Sequence, residues 1–463
     1  MLHQWADHRI FTGPEGAILY GVDHASLYLV DASVQEVLSR WGSCPKVDLD
    51  QASTADREVL EGLRDIHLLV PVGPSKAWPP VRFDPGHFPL TTMVLEVAQD
   101  CNLRCSYCYA EGGAYGGPTR LLEVETARAA ARYLVKESGD SAALTLVLFG
   151  GEPLLNMPAV KAAVEEAETL AAAAGKRLQV SLTTNGTLLN ADTVRFFRDH
   201  RVVVSVSLDG PPDLHDANRP DAAGHGSYAK ILAQLQGLLQ NSSAAVAARV
   251  TLTPEQWSRC EEVFDHLMGL GFHEVGIAPA SPITSNLLPN PEQEEALLQS
   301  FAAMARRFSS AAREGQILPF GNLLELLSRL HMGQTKAVAC GAGYGYLAVA
   351  AGGEFYLCHR LAGEEAFQVG TLETGVDPAK ISSCLGQVTA GTEALCASCW
   401  ARTLCAGGCH YENHLRERIL GIPAGSSCEF IRRWLQLGIE LYAELRHAGA
   451  DRLLAQLEKR TGC

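Results

Sequence analysis

Three cysteines in one short run, Cys101, Cys105 and Cys108, constrain this 463-residue chain more than any other feature. Their spacing, C-x3-C-x2-C, places three thiolates on one tight loop. Thiolates are the usual ligands of iron–sulfur clusters. Three of them leave one iron of a cubane open, which is typical of a catalytic centre rather than of a closed structural site. A zinc knuckle is the alternative, but zinc sites usually pair two C-x2-C units, and the next cysteine is Cys260.

Three apolar runs downstream each end in polar residues and glycine. Residues 144–153 end in Gly-Gly-Glu-Pro, residues 178–187 contain Thr-Thr-Asn-Gly, and residues 202–210 end in Ser-Leu-Asp-Gly. Such runs predict parallel strands buried on both faces, and ligands of α/β proteins bind at the carboxyl ends of these strands. Paired glycines let the backbone approach a ligand, and a glutamate accepts hydrogen bonds from an ammonium group. Taken singly, these polar residues are equally well interpreted as helix caps and turn formers.

The cysteine loop followed by Gly-Gly-Glu-Pro resembles the signature of radical S-adenosylmethionine (radical SAM) enzymes. In that family the open iron binds the amino and carboxylate groups of SAM, and reduction cleaves SAM to a 5′-deoxyadenosyl radical. The resemblance implies that Cys101, Cys105 and Cys108 hold the catalytic [4Fe-4S] cluster. It implies SAM contacts from Tyr107, from Gly150, Gly151 and Glu152 at the amino group, from Thr184 and Asn185 near the ribose, and from Ser207 with Arg219 near the methionine carboxylate.

A second set of cysteines stands near the C-terminal end of the chain. The chain has fourteen cysteines and no signal segment at its start, which favours metal binding or catalysis over disulfides. The late set resembles the SPASM domain of radical SAM peptide maturases, and seven cysteines are too many for one zinc ribbon. The resemblance implies two auxiliary [4Fe-4S] clusters, the first held by Cys340, Cys358 and Cys409 and the second by Cys396, Cys399, Cys405 and Cys428.

The fourth ligand of auxiliary cluster I is an open question at this point. Sulfatase maturases have an extra cysteine shortly after the first one, and this chain has none there. Cys384 is the spare candidate; otherwise cluster I has an open iron. Sulfatase maturases also carry an aspartate directly after the second cysteine of the set, where this chain has His359. The remaining cysteines, Cys44, Cys260 and Cys463, fit no cluster and are interpreted as buried or surface thiols.

The fold class predicted is α/β: a partial (β/α)6 radical SAM barrel between an N-terminal winged-helix-like domain and a C-terminal SPASM domain. Alternating strands and helices predict the parallel sheet, and the barrel form follows from the resemblance. The N-terminal unit resembles the peptide-recognition element that binds a leader peptide by strand addition. The predicted units are 1–75 (leader recognition), 76–90 (a Pro-rich linker), 91–280 (barrel), 281–335 (helical bridge), 336–430 (SPASM domain) and 431–463 (C-terminal helix).

Composition limits the classes of partner and compartment. The net charge of −14, and the lack of a basic stripe in residues 1–75, argue against a nucleic-acid partner. No run of 18 apolar residues occurs, so no membrane span is expected. The start of the chain lacks a basic-then-apolar signal segment, and a cytoplasmic location is expected.

The resulting hypothesis is a radical SAM/SPASM peptide maturase. It most resembles the thioether-forming maturases, such as those of quinohemoprotein amine dehydrogenase and of ranthipeptides, which join a cysteine sulfur to a side-chain carbon. The expected partners are a peptide or small protein with a leader segment, and a one-electron reductant such as flavodoxin or ferredoxin. The alternatives are a maturase forming carbon–carbon cross-links, a formylglycine-forming sulfatase maturase, and an iron–sulfur electron carrier without catalysis.

Overall fold

A computed structural model of the protein describes residues 2–13, 16–73, 89–242 and 245–460. Most of the predicted linker, 76–90, and the unassigned Cys463 lie outside these residues. None of the described helices is both long enough and apolar enough to cross a membrane. The strands of the described residues are β1 Leu2–Trp5, β2 His8–Gly13, β3 Gly16–Gly21, β4 Ser26–Val30, β5 Val47–Asp48, β6 Leu69–Pro71, β7 Thr92–Gln99, β8 Arg120–Leu121, β9 Ala143–Gly150, β10 Arg177–Thr184, β11 Val203–Ser207, β12 Ala247–Leu252, β13 Glu274–Pro279, β14 Tyr346–Val349, β15 Glu354–Tyr356, β16 Gln368–Thr371 and β17 Gly375–Val376.

Helices alternate with the strands of the central part and dominate the C-terminal third. They are α1 Ala32–Trp41, α2 Thr54–Asp65, α3 Val124–Lys136, α4 Met157–Ala173, α5 Ala191–Asp199, α6 Pro212–Asn218, α7 Tyr228–Asn241, α8 Cys260–Gly269, α9 Pro291–Arg313, α10 Gly321–His331, α11 Pro378–Cys396, α12 Arg402–Cys405, α13 His410–Glu417, α14 Gly425–His447 and α15 Asp451–Arg460. The single C-terminal helix predicted for 431–463 is therefore wrong, since α14 and α15 are separate helices. Gly449, between them, has φ +66°, a value that favours glycine.

The centre of the fold is a parallel sheet with the order β13-β12-β11-β10-β9-β7. Alternate residues of β10 and β11 are buried, and β7 is buried almost throughout. These six strands, with their connecting helices, are the predicted partial barrel. The C-terminal region extends the same sheet, because β14 pairs in parallel with β7 and β15–β17 follow in antiparallel order. The cysteine-rich region is thus continuous with the barrel through backbone hydrogen bonds.

The N-terminal unit contains two three-stranded sheets, β5-β1-β6 and β2-β3-β4, together with α1 and α2. The strands of the β2-β3-β4 meander pair in antiparallel order, and Asp31 caps α1 by accepting a hydrogen bond from the Val34 amide (3.0 Å). The meander lies between two cores. Leu19 packs with α1 and α2 in the small N-terminal core, whereas Ile18 and Tyr20 belong to the main core of the molecule.

The N-terminal unit does not stand apart from the rest of the protein, because it docks on the segment between Cys399 and Cys405. Arg402 is only 6% exposed and pairs with Asp7 (2.6 Å) and Asp23 (2.8 Å). The Thr403 hydroxyl donates to the Val22 carbonyl (2.6 Å). The N-terminal unit therefore covers part of the loop that carries the second auxiliary cysteine set.

Candidate functional site

A cavity of about 160 Å³ opens at the carboxyl ends of the barrel strands. Its walls come from the cysteine loop after β7 and from the ends of β9, β10 and β11, as strand-end chemistry requires of a parallel sheet. It brings together ten of the eleven residues predicted for the SAM site: Cys101, Cys105, Cys108, Tyr107, Gly150, Gly151, Thr184, Asn185, Ser207 and Arg219. Glu152, the eleventh, lies directly after Gly151 and is fully buried.

The cysteine loop is held in place by hydrogen bonds to its sulfur and side-chain atoms. Cys101 Sγ accepts the Leu103 amide (3.4 Å) and the Asn185 side-chain amide (3.7 Å). Asn185 also donates to Asn102 Oδ1 (2.9 Å), so the end of β10 is tied to the loop. Burial, together with the nearby charges of Glu152, Cys105 and Cys108, raises the pKa of the Cys101 thiol to about 11, although the Leu103 amide lowers it. Three thiols on one loop, one of them accepting N–H···S bonds, are a donor set that fits an iron–sulfur cluster, since hydrogen bonds to sulfur tune such clusters.

The two glycines of the Gly-Gly turn are required by backbone packing, in addition to the predicted close approach of the backbone to a ligand. Gly150 has φ +124°, and a Cβ there would collide with the carbonyl oxygen of Ala98. A Cβ on Gly151 would collide with the carbonyl oxygen of Asp100. The backbone of residues 150–151 therefore lies directly against the chain leading into the cysteine loop, which only glycine permits.

The Glu152 carboxylate accepts three hydrogen bonds from the protein itself. Oε1 accepts the Leu154 amide (3.0 Å) and the Thr184 hydroxyl (2.7 Å), while Oε2 accepts the Asn185 amide (2.7 Å). Burial raises the pKa of Glu152, and these donors partly lower it again. Glu152 thus fastens the turn after β9 to the end of β10. A carboxylate oxygen has two lone-pair sites, so one acceptor position of Oε2 is not filled by these three donors.

A buried triad lies beside the cavity, in contact with the cysteine loop. Arg219 Nη1 donates to the Tyr107 hydroxyl (2.7 Å), which donates to Asp209 Oδ2; Arg219 and Asp209 are 3.8 Å apart. Burial raises the pKa of Asp209, and Arg219 lowers it. The Arg219 Nε is buried and has no acceptor among the described residues. A buried, unpartnered guanidinium N–H in the cavity wall fits the carboxylate of SAM, which is the role predicted for Arg219.

His215 helps to hold Asp209 and Arg219 of this triad in place through hydrogen bonds. Its Nδ1 accepts the Asp209 amide (3.2 Å), so the proton is on Nε2, which donates to the Ser227 hydroxyl (2.9 Å). Ser227 in turn donates to the Arg219 carbonyl (2.7 Å). Burial lowers the pKa of His215 to about 3, and Arg219 lowers it as well, so the imidazole is neutral. Sequence reasoning missed Asp209 and His215, although the Asp-Gly and Leu-His of this run were visible signals.

The late cysteines fall into two groups by their electrostatic influence on one another, and their assignment to two clusters stays a prediction. The charges of Cys340 and Cys409 act on the pKa of Cys358, whose thiol burial raises to about 12. Likewise, the charges of Cys405, Cys399 and Cys428 act on the pKa of Cys396. Cys340, Cys405 and Cys409 line one cavity of about 380 Å³, so the two groups adjoin. Across the described ranges, no three His, Cys, Asp or Glu side chains converge closely enough to hold a single metal ion.

The other cysteines stand apart from these groups. Cys384 is buried in the hydrophobic core on α11; burial raises its pKa and Lys380 lowers it, while the three thiols of the first auxiliary set make no contribution. The suggestion that Cys384 is a spare ligand of auxiliary cluster I stays a prediction. Cys260 is buried with its thiol toward the Trp257 carbonyl (3.2 Å), and Cys44 lies near the Arg40 carbonyl (4.0 Å), in keeping with the prediction that both lie outside the clusters.

The chain is similar to proteins of one superfamily in sequence. Residues 95–267 match the family model described as the Radical SAM superfamily. A serine-type anaerobic sulfatase-maturating enzyme of Klebsiella aerogenes is 27% identical over 194 residues, covering 41% of this chain and 47% of the relative. The corresponding enzyme of Bacteroides thetaiotaomicron is 33% identical over 151 residues, covering 31% of this chain and 35% of the relative. The chain thus spans about half, or less, of these curated relatives.

Solved structures share the fold over a longer range. The structure of anSMEcpe with bound AdoMet superposes with a TM-score of 0.65 at 17% identity, covering 80% of this chain and 99% of that one. Streptococcus suis SuiB bound to precursor peptide SuiA gives a TM-score of 0.52 at 14% identity, covering 92% of this chain and 100% of that one. The predicted fold class is confirmed. The part of the chain that matches the Radical SAM superfamily model, residues 95–267, makes up most of the partial barrel, which is set between a small N-terminal β domain and a cysteine-rich C-terminal region as in these structures.

Proposed function

We propose that the protein is a radical SAM enzyme that modifies a peptide or small protein. The observation that carries this proposal is the single cavity that gathers the three-cysteine loop, the Gly-Gly turn, Ser207 and Arg219. When bound, SAM and the clusters supply a 5′-deoxyadenosyl radical, which takes a hydrogen atom from carbon, and an acceptor for one electron. The similar solved structures include one with a bound precursor peptide, which supports a peptide as the substrate class.

The chain's own residues then bind and orient. Arg219, with its unpartnered Nε, pairs with the SAM carboxylate, while the Tyr107–Asp209 pair fixes the guanidinium. Asn185 holds the cysteine loop against β10. Such positioning keeps the reacting carbon near the radical precursor and excludes water, which is the protein's share of the chemistry when a cofactor carries the hard step.

The specific product we propose is a thioether between a substrate cysteine and a side-chain carbon. Its support is the first auxiliary set, in which the charges of Cys340 and Cys409 act on the pKa of Cys358. With three protein thiolates, a [4Fe-4S] cluster there would leave one iron open to a substrate thiolate, and metal binding would lower the pKa of that thiol. His359, where sulfatase maturases have an aspartate, weighs against formylglycine formation.

The first experiment tests the catalytic site. The reconstituted and reduced protein is expected to convert SAM to 5′-deoxyadenosine. Replacing Cys101, Cys105 and Cys108 together by alanine should abolish this cleavage and leave the iron of the C-terminal region in place. Cys44→Ala is the matched control, since this thiol belongs to no group, and it should cleave SAM normally. Undiminished cleavage in the triple variant would exclude the assignment.

The second experiment tests the product. Forming the C–S bond removes one hydrogen atom from carbon, one proton from sulfur and one electron. Each cross-link should therefore lower the peptide mass by about 2 Da, as expected for cofactor-driven radical oxidation. The joined cysteine should also resist thiol alkylation. A modified peptide whose cysteines all still alkylate would exclude the thioether and favour a carbon–carbon cross-link, and a formylglycine residue would favour the sulfatase-type reaction.

We further propose that the N-terminal unit binds the leader segment of this peptide, and that flavodoxin or ferredoxin is the reductant. The support for the first point is the three-stranded meander β2-β3-β4, whose outer strands have edges to which an extended peptide can add. Peptide binding to the meander is tested by fluorescence anisotropy of a labelled leader peptide. A peptide without its leader should bind markedly more weakly.

A further inference from the structure

Arg360 connects the two cysteine regions, and the proposed function gives it no role. Its guanidinium carbon lies 4.8 Å from the ring centre of Tyr109 and 4.2 Å from that of Tyr411. The two rings are themselves 5.8 Å apart. Tyr109 directly follows Cys108, and Tyr411 stands just after Cys409. The guanidinium of Arg360 therefore contacts one aromatic ring next to the loop of Cys101, Cys105 and Cys108 and one aromatic ring near Cys409 of the first auxiliary set.

The guanidinium donors are directed at sulfur and at a carboxylate. Nη1 lies 3.9 Å from Cys409 Sγ. Nη2 donates to the Ser281 hydroxyl and to Glu412 Oε1, the latter at 3.1 Å. The Nε is buried and has no acceptor among the described residues. A buried N–H without a partner destabilises the folded protein, so an acceptor is expected beside it once the cluster is in place. Cluster sulfur is such an acceptor.

We propose that Arg360 is a positioning residue that donates N–H···S hydrogen bonds at the Cys409 side of auxiliary cluster I and raises the reduction potential of that cluster. The inference rests on the proposed function, because it takes Cys340, Cys358 and Cys409 as ligands. Reduction adds one negative charge to a cluster, and a nearby cation and N–H donors stabilise that charge. Glu412 opposes this effect, since its carboxylate offsets the charge of Arg360.

The test is a potentiometric titration of the reconstituted protein, followed by electron paramagnetic resonance. Arg360→Met should shift the midpoint of one auxiliary cluster to a more negative potential, whereas Glu412→Gln should shift the same midpoint to a less negative one. Arg360→Lys should give a smaller negative shift, because an ammonium keeps the charge but lacks the planar fork of donors. Arg433→Met, which breaks a half-exposed ion pair with Glu295 (2.6 Å), is the control and should leave the midpoint potentials of both auxiliary clusters unchanged.

Opposite shifts in Arg360→Met and Glu412→Gln support an electrostatic role, because mere loosening of the packing would move both midpoints the same way. Unchanged midpoints with full iron content, or shifts of the same sign, would overturn the inference. If Arg360→Met loses iron, Arg360→Lys and Glu412→Gln decide the question. A wild-type protein whose iron content and spectrum show no cluster at Cys340, Cys358 and Cys409 would instead overturn the proposed cluster assignment, on which this inference depends.

Discussion

Glu152 offers the sharpest test of how the SAM site is built. Its two carboxylate oxygens accept three hydrogen bonds, from two backbone amides and the Thr184 hydroxyl. In Glu152→Gln the amide oxygen can replace Oε1, but the NH2 group cannot accept the bond from the Asn185 amide. One buried N–H then loses its acceptor, at a cost of about 1–3 kcal/mol. In Glu152→Ala both backbone amides lose theirs, at about 2–6 kcal/mol for two such donors.

The assay is amide hydrogen exchange in the intact protein, because it reports this turn locally. A cost of 1–3 kcal/mol corresponds to exchange at the Asn185 amide that is roughly 5- to 150-fold faster in Glu152→Gln than in the wild type. SAM affinity should fall as the end of β10 loosens. Thr184→Ser keeps the hydroxyl and is the matched control, with exchange at Asn185 expected within a few-fold of the wild type. Equal protection of the Asn185 amide in Glu152→Gln and the wild type would refute the reasoning.

Three further outcomes are expected. The pKa of His215 is about 3 in the folded protein against 6.5 for a free imidazole. The contribution of neutral His215 to stability is therefore fully present above pH 6.5 and is lost as the pH falls toward 3, and this contribution amounts to about 5 kcal/mol at most. In His215→Gln the free energy of unfolding should depend less steeply on pH on the acid side. Arg402→Met should weaken docking of the N-terminal unit and increase proteolysis of residues 2–73, whereas the same change at exposed Arg433 should not. Gly151→Ala should displace the cysteine loop and lower both iron content and SAM cleavage, since its Cβ would meet the Asp100 carbonyl; normal iron binding and cleavage would contradict this packing argument.

Deleting the N-terminal unit is a more severe version of the Arg402 change. Removing residues 1–75 is expected to weaken peptide binding, while the SAM cleavage that occurs in the absence of peptide should remain. The docking of Val22 and Asp23 on Arg402 and Thr403 adds a second expectation, namely partial loss of iron from the set that includes Cys399 and Cys405. Iron analysis of the truncated protein separates the two effects, and full iron content would show that the docking is dispensable for that set.

Much of the candidate site was predictable because its signals are local. The spacing of Cys101, Cys105 and Cys108 fixes three thiolates on one loop whatever the rest of the chain does. The apolar runs before Gly150, Thr184 and Ser207 predict parallel strands, and parallel strands bring their carboxyl ends to one edge of a sheet. The cavity that gathers these residues follows from those two rules.

The interactions of these same side chains were not predictable. Glu152 is tied to Thr184 and Asn185, which follow it by more than thirty positions. The break between α14 and α15 was also missed, since both helices are amphipathic and only the turn at Gly449 separates them.

The sequence by itself determined which residues can carry the chemistry, because ligand spacing and strand-end motifs are properties of short segments. Only the tertiary structure decided which distant residues meet. Arg360 contacts Tyr109, Cys409 and Glu412, and Arg402 pairs with Asp7 and Asp23, across separations that leave no periodic trace in the chain. Such contacts depend on how the sheet closes and how the cysteine-rich region packs on it, and these are decided by the burial of the whole core rather than by any local pattern.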